Sequence, residues 1–251
     1  MELLKDKPYL EGVYYLSEKK QNFEDIYLKV REKENRVYSD TELSQIPFVN
    51  EYFPNNEEWF LRQESAKRFA NYLQGLKNQT ILEIGCGNGW LLNYLTERNP
   101  ENTYIGLDMN VLELEQAARV FKNNSIYWIY GDIEKHIFPQ KSFHIIYIAS
   151  SIQYFVDFNG LIDKLSVLLK PKGQIHIFDS SFYEPSQKEK AKQRTLEYYT
   201  QLGFPEMAKY YHHHTWEALK KNEYRILYKP TKWKKWLNIS HSPFPWIQII
   251  S

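Results

Sequence analysis

The sequence predicts an α/β fold: a doubly wound, mostly parallel sheet of seven strands, with a helical N-terminal cap and an insertion after the fifth strand. Three observations predict it. From Thr80 onward, short apolar runs rich in β-branched residues alternate with amphipathic helical segments, the pattern of successive βαβ units. The strand runs are apolar along their whole length, as strands covered on both faces are. The helical segments close on stop signals, such as Pro100 after one and Pro171 with Gly173 after another.

Residues 1–75 read as the cap. Phe23, Tyr27 and Val30 recur at helical spacing within FEDIYLKVREKEN, and Ala66, Phe69, Ala70, Leu73 and Leu76 make a second stripe. Between them, YSDTELSQIPFVNEYFPNN is broken by Pro47 and Pro54 and reads as a loop with short turns. Residues 76–251 carry the sheet, as TILEIG, TYIGLD, SIYWIYGD, FHIIYIAS and QIHIFDS. The intervening helices are WLLNYLTERN, VLELEQAARVFKN (face Val111, Leu114, Ala118, Phe121) and FNGLIDKLSVLLK (face Leu161, Ile162, Leu165, Leu168, Leu169). A polar and aromatic insertion, residues 182–214, interrupts the alternation. A short helix, TWEALKKN, then precedes two further strand-like pieces, EYRILYK and PWIQIIS. Their connection is basic and aromatic, beginning KPTKWKKW (Lys229–Trp236).

Composition excludes several classes. With 32 Lys+Arg against 31 Asp+Glu the formal charge is +1, without the basic excess of a dedicated nucleic-acid binder. A lone cysteine, Cys86, rules out an intrachain disulfide framework and a cysteine-cluster zinc site. MELLKDKPYLEG has no secretory apolar core, and the central uncharged run Ser142–Val156 is too short to span a bilayer. The expectation is a soluble cytoplasmic protein without membrane partners; the oligomeric state cannot be read.

The chemistry centres on Glu83-Ile84-Gly85-Cys86-Gly87-Asn88-Gly89 at a strand-to-helix turn. Glycines there permit positive φ and let a ligand approach the backbone, and the following helix offers free N–H groups. The G-x-G-x-G spacing is one residue tighter than the dinucleotide fingerprint, and the missing residue is part of how a pyrophosphate is held. The second strand ends at Asp108, where a carboxylate can accept both hydroxyls of a ribose. The third ends at Asp132, where another can accept an adenine N–H. An adenosine with a carboxylate-bearing tail satisfies all of these groups.

ILEIGCGNG, GLD, GDI, IIYIASSIQYF and LLKPKGQIHIFD, taken in order over roughly Gln79–Ser181, resemble the motifs of the class I S-adenosylmethionine-dependent methyltransferases. The resemblance implies a Rossmann-like fold whose sixth and seventh strands are antiparallel, and S-adenosyl-L-methionine as cofactor. It assigns Gly85, Cys86 and Gly87 to the methionine moiety and Glu83 to support of that loop. Asp108 takes the ribose, Met109 packs on adenine, Asp132 and Ile133 read the adenine edge, and Ala149 and Ser150 line the cavity near the methionine. His144 stands where the family often has Asp. The Asn/Asp-Pro-Pro-Tyr/Phe motif of amino-directed DNA methylases and the Pro-Cys nucleophile of cytosine methylases are both absent.

No catalytic residue declares itself. Tyr154 sits where this fold faces its substrate, and His212, His213 and His214 are candidate general bases because the insertion should overhang the cofactor. Adjacent side chains point apart, so the tract does not predict a metal site; its bland reading is a surface tract. Cys86 beside glycines reads as packing. The expected function is transfer of a methyl group to a small-molecule acceptor. Open alternatives are an RNA or protein methyltransferase docking through Lys229–Trp236, and a non-catalytic cofactor-binding protein.

Overall fold

The computed structural model describes residues 4–18, 21–135, 137–230 and 242–250. A short hairpin comes first: β1 (Tyr9–Leu10) and β2 (Val13–Tyr15). Glu11 and Gly12 between them have φ of 50° and 82°, the conformation of a two-residue primed turn. Gly12 is also obligatory on space, since a Cβ there would lie 2.6 Å from that of Ala118. Three helices follow: α1 (Gln21–Lys33), α2 (Asp40–Gln45) and α3 (Asn56–Leu73). The expected loop region thus contains α2, which is fixed by a capping box: Ser39 accepts the Glu42 N–H while the Glu42 carboxylate takes the Ser39 N–H. Leu76, read as part of the α3 stripe, lies beyond its end and is exposed.

The alternating region runs β3 (Thr80–Ile84), α4 (Trp90–Arg98), β4 (Thr103–Asp108), α5 (Val111–Val120), β5 (Ile126–Tyr130), β6 (Phe143–Ala149), α6 (Phe158–Leu168) and β7 (Leu169–Phe178). The insertion folds as α7 (Lys188–Leu202) flanked by 3-10 turns; α8 (Trp216–Leu219), β8 (Tyr224–Tyr228) and β9 (Trp246–Ile250) complete the described chain. The sheet has nine strands in the order β1-β2-β5-β4-β3-β6-β7-β9-β8. It exceeds the expected seven because the N-terminal hairpin joins the edge, with Val13, Tyr14 and Tyr15 pairing parallel to Trp128, Ile129 and Tyr130.

Two further differences concern boundaries and direction. α6 passes straight into β7 at Leu169, before Pro171 and Gly173; Leu169 pairs with Phe143, and an irregularity precedes the regular register from Gln174. Of the last two strands, only β9 is reversed. It inserts between β7 and β8 and pairs antiparallel to both, so β8 runs with the parallel set.

The sheet is covered on both faces. One core gathers Phe69 and Leu73 of α3, Leu92 and Leu95 of α4, and Leu114 and Ala117 of α5. The other gathers Leu161, Ile162 and Leu165 of α6 with Leu219 of α8. Alternate residues of β3 serve both: Ile81 packs into the first core, Leu82 and Ile84 into the second. Among the described residues, no helix is long and apolar enough to cross a membrane. Of the basic connection Lys229–Trp236, residues from 231 onward lie outside the described residues.

Candidate active site

The carboxyl ends of β3, β4, β5, β6 and β7 open on one side of the sheet, where ligands of such folds bind. After β3 the chain turns through Gly85, Gly87 and Gly89, with φ of 72°, 52° and 72°. At Gly85 the requirement is also steric: a Cβ would lie 2.6 Å from the Cβ and 2.7 Å from the Oγ of Ser151. Ser151 in turn donates to the Ile84 carbonyl at 2.6 Å, locking the β6 loop onto the glycine turn. The loop is held from β4 as well. Gly85 and Cys86 donate to the Leu107 carbonyl, and Gly87 donates to Asp108 Oδ2 at 2.7 Å.

Asp108 takes a second backbone N–H, that of Asn110, on Oδ1 at 2.8 Å. Burial raises its pKa against the pull of these donors. Each carboxylate oxygen retains acceptor capacity beyond one hydrogen bond. Asp132 is buried, accepts the Glu134 N–H on Oδ1 and is buttressed by Ser17, whose hydroxyl takes the Asp132 N–H. Glu83 is buried within the sheet and accepts the Tyr147 hydroxyl at 2.8 Å; burial pushes its carboxyl well above the usual range. Burial likewise pushes the Cys86 thiol well up, so it stays a neutral packing group.

Two cavities meet at this loop. The smaller, about 130 Å³, is lined by Asp108, Met109, Gly131, Asp132 and Ile133, with Glu24 from α1. The larger, about 690 Å³, is lined by Glu83, Cys86 and Ala149 on the sheet side and by α1, α3 and α7 opposite. Tyr27, Gly85, Gly87, Ser150 and Tyr154 line both. The predicted binding residues therefore fall on the cavities, with Gly85, Gly87, Ser150 and the candidate Tyr154 at their junction. Tyr154 packs edge-on against Tyr27, ring centroids 5.8 Å apart.

The histidine tract is placed differently. His212, His213 and His214 line neither cavity. His213 sits behind the wall, 2.9 Å from the Thr195 hydroxyl and packed on Tyr183 and Tyr211, and burial with nearby Lys192 lowers its pKa to about 4. His214 is buried with Nε2 3.0 Å from the Ile152 carbonyl, and the His212 backbone is tied to Gln153. His213 and His214 are thus buried wall groups, not a surface tract. Among the described residues, no cluster of three or more His, Cys, Asp or Glu side chains is arranged to hold a metal ion. His144, away from the site, accepts the Thr80 N–H at 2.8 Å.

Sequence reasoning missed the groups contributed by α1, α5 and the end of β7. Glu24 accepts the Val111 N–H at 2.7 Å, tying α1 to the start of α5 across the smaller cavity. Glu113 lies beside Gly87, bonded to Asn110, and burial with nearby Asp108 raises its pKa to about 7 despite Arg31. Asp179 follows β7 with φ of 52° and accepts Ser65 Oγ at 2.6 Å; its carbonyl accepts Ser150 Oγ at 3.0 Å. The rule that parallel sheets bind ligands at their carboxyl ends would have flagged Asp179. Tyr27 was read only as part of an apolar stripe.

Residues 81–173 match a family model described as a methyltransferase domain, the part of the chain that builds the glycine turn and both carboxylates. The chain carries a class I S-adenosylmethionine-dependent methyltransferase domain. Among curated relatives, a methyltransferase of Mycobacterium bovis is 29% identical over 111 residues, covering 44% of this chain and 54% of that one. The phosphoethanolamine N-methyltransferase of Plasmodium falciparum is 28% identical over 175 residues, covering 68% and 63%. The chain spans about half the length of the curated relatives it matches. The crystal structure of an S-adenosylmethionine-dependent methyltransferase from Mesorhizobium loti superposes with a TM-score of 0.54 at 17% identity, covering 78% of this chain and 98% of that one, a likeness of fold. Methyltransferase domains of this class use S-adenosylmethionine, and the smaller cavity suits its adenosyl part: the Asp108, Asp132 and Glu24 carboxylates border it, and it joins the larger cavity at Gly85 and Gly87.

Proposed function

We propose that the chain transfers a methyl group from S-adenosylmethionine to a small-molecule acceptor held in the larger cavity. The observation that carries this reading is the meeting of the two cavities at Gly85, Gly87, Ser150, Tyr27 and Tyr154. When bound, the cofactor supplies a methyl group already electrophilic on its sulfonium. The chain's own task is orientation and exclusion of water, which can lower a barrier by ~7–11 kcal/mol. Asp108 and Asp132 are the groups that hold ribose and adenine, with Met109 and Ile133 packing on the base. The Gly85–Gly87 backbone, supported by Glu83, receives the methionine part, with Ala149 and Ser150 beside it. Tyr27 and Tyr154 flank the junction, where they align the acceptor. Burial raises the pKa of both, leaving their hydroxyls protonated as hydrogen-bond donors.

The larger cavity is a cleft walled by α1, α3 and α7, a shape that suits a small acceptor. The Plasmodium relative, by its name, also acts on a small molecule. The test is calorimetric titration with S-adenosylhomocysteine, followed by incubation with methyl-labelled cofactor and a small-metabolite extract. Saturable binding and label in a low-molecular-weight product support the reading. Label appearing only in RNA or protein, or no cofactor binding, overturns it.

A further inference from the structure

The geometry points to an oxyanion-binding subsite in the larger cavity, built by Arg31 with Tyr154, Tyr199 and Tyr211, that holds a carboxylate or phosphate group of the acceptor. This rests on the methyl-transfer reading of that cavity and names the class of molecule that enters it.

The arginines of the wall differ in how they are compensated. Arg36 and Arg62 share Glu58, with Arg36 Nη1 donating at 2.8 Å and Arg62 Nε at 2.7 Å, and Arg36 also pairs with Glu34 at 3.3 Å. Those charges close on themselves. Arg31 is left over. Its nearest carboxylate oxygen belongs to Glu34 at 4.0 Å, and Glu34 already serves Arg36 and the Tyr198 hydroxyl. Its Nε is buried without a hydrogen-bond partner among the described residues. A buried N–H with an unmade hydrogen bond is costly, and the planar guanidinium fork matches the two oxygens of a carboxylate or phosphate.

The neighbouring wall is rich in donors. Tyr154 packs edge-on between Tyr27 and Tyr211, and Tyr211 lies 6.4 Å from Tyr199, giving a continuous aromatic face beside Arg31. The Tyr199 and Tyr211 side chains both line the larger cavity. Burial raises the pKa of both, so they remain O–H donors at neutral pH. A guanidinium and phenol donors lining one cavity make a site for an oxyanion. The smaller cavity, bordered by Asp108, Asp132 and Glu24, offers carboxylates and repels one.

The experiment is titration of the full chain with inorganic phosphate and, separately, with acetate, followed on the arginine Nε–H resonances in nitrogen-15 spectra. One arginine resonance should shift saturably, and phosphate against acetate tells which oxyanion is preferred. Arg31→Gln should abolish the shift, and Arg31→Lys, which keeps the charge but loses the fork, should weaken binding about tenfold. Tyr199→Phe and Tyr211→Phe should each weaken it about fivefold. No saturable shift with either anion, or one that survives Arg31→Gln, overturns the assignment. So does a tenfold loss of S-adenosylhomocysteine affinity in Arg31→Gln, because Arg31 would then serve the cofactor's own carboxylate. Wild-type protein that binds phosphate but not S-adenosylhomocysteine would sink the methyl-transfer reading instead, which separates the two failures.

Discussion

Gly85→Ala is the sharpest test of how the glycine turn is built. The new methyl meets two separate penalties. At φ of 72° a non-glycine residue costs about 1–2 kcal/mol in backbone conformation. The Cβ would also lie 2.6 Å from Ser151 Cβ and 2.7 Å from its Oγ, which forces overpacking at about 1–3 kcal/mol. The total is ~2–5 kcal/mol. Gly203→Ala is the internal control: its φ is 90°, but nothing lies within 4 Å of the added atom, so only the backbone part applies. Urea unfolding of both variants, analysed at a common m-value, should show Gly85→Ala as the more destabilised by ~1–3 kcal/mol. Adding Ser151→Gly should recover part of that gap, since removing the obstructing side chain relieves the clash. S-adenosylhomocysteine affinity should fall in Gly85→Ala and hold in Gly203→Ala. Equal destabilisation of the two alanine variants would refute the argument that Ser151 and the loop are in close contact.

Asp108→Ala removes the acceptor for the Gly87 and Asn110 N–H groups, and S-adenosylhomocysteine affinity measured by calorimetry should drop about tenfold to a hundredfold; unchanged affinity would take Asp108 out of the site. His176 is fully buried, accepts the Trp246 indole N–H on Nδ1, and is depressed by burial to about 3. The unfolded chain takes up that proton near pH 6.5 while the folded one does not. Stability present above that pH should therefore decline toward pH 3, at up to ~1.4 kcal/mol per unit. Equal urea midpoint shifts between pH 7 and pH 5 in wild type and His176→Gln would contradict this. Burial opposes ionisation of Glu58, but Arg62 and Arg36 outweigh it and hold the carboxyl at about 2. Its contribution, at most ~3 kcal/mol, is present above pH 4.5 and lost as pH falls toward 2, so the stability gap between wild type and Glu58→Gln should narrow over that window.

The proposed cofactor side was legible because its residues follow from strand ends. A short apolar run that stops on Gly85, Asp108 or Asp132 announces both the strand and the group at its tip. The N-terminal hairpin was not read because β1 is two exposed residues and carries no burial signal. Its Glu11-Gly12 turn, between tyrosines, is the clue that was there. The direction of β8 was misjudged because sequence separation does not reveal that β9 inserts between β7 and β8. Pro171 and Gly173 looked like a helix stop, yet they lie within β7, where only Leu169 pairs before the irregularity. The histidines were misplaced for a related reason: polarity suggested a surface, whereas Thr195 and the Ile152 carbonyl supply partners that make burial tolerable.

The acceptor side resists the same reading because it is made by elements that owe their position to packing. α1 and α7 meet through Val30, Tyr199 and Met207, a small cluster separate from the two cores that cover the sheet. The proposed cofactor carboxylates Asp108 and Asp132 are set by sheet register, while α7 packs in the opposite wall through a separate cluster. On α7, Ala191, Thr195 and Tyr199 recur every four residues on the face that lines the cavity, and Arg194 and Tyr198 flank that stripe. Substitutions along that face should accordingly alter acceptor KM while leaving S-adenosylhomocysteine affinity intact. A cofactor defect from Thr195→Ala would show instead that the two walls are energetically one.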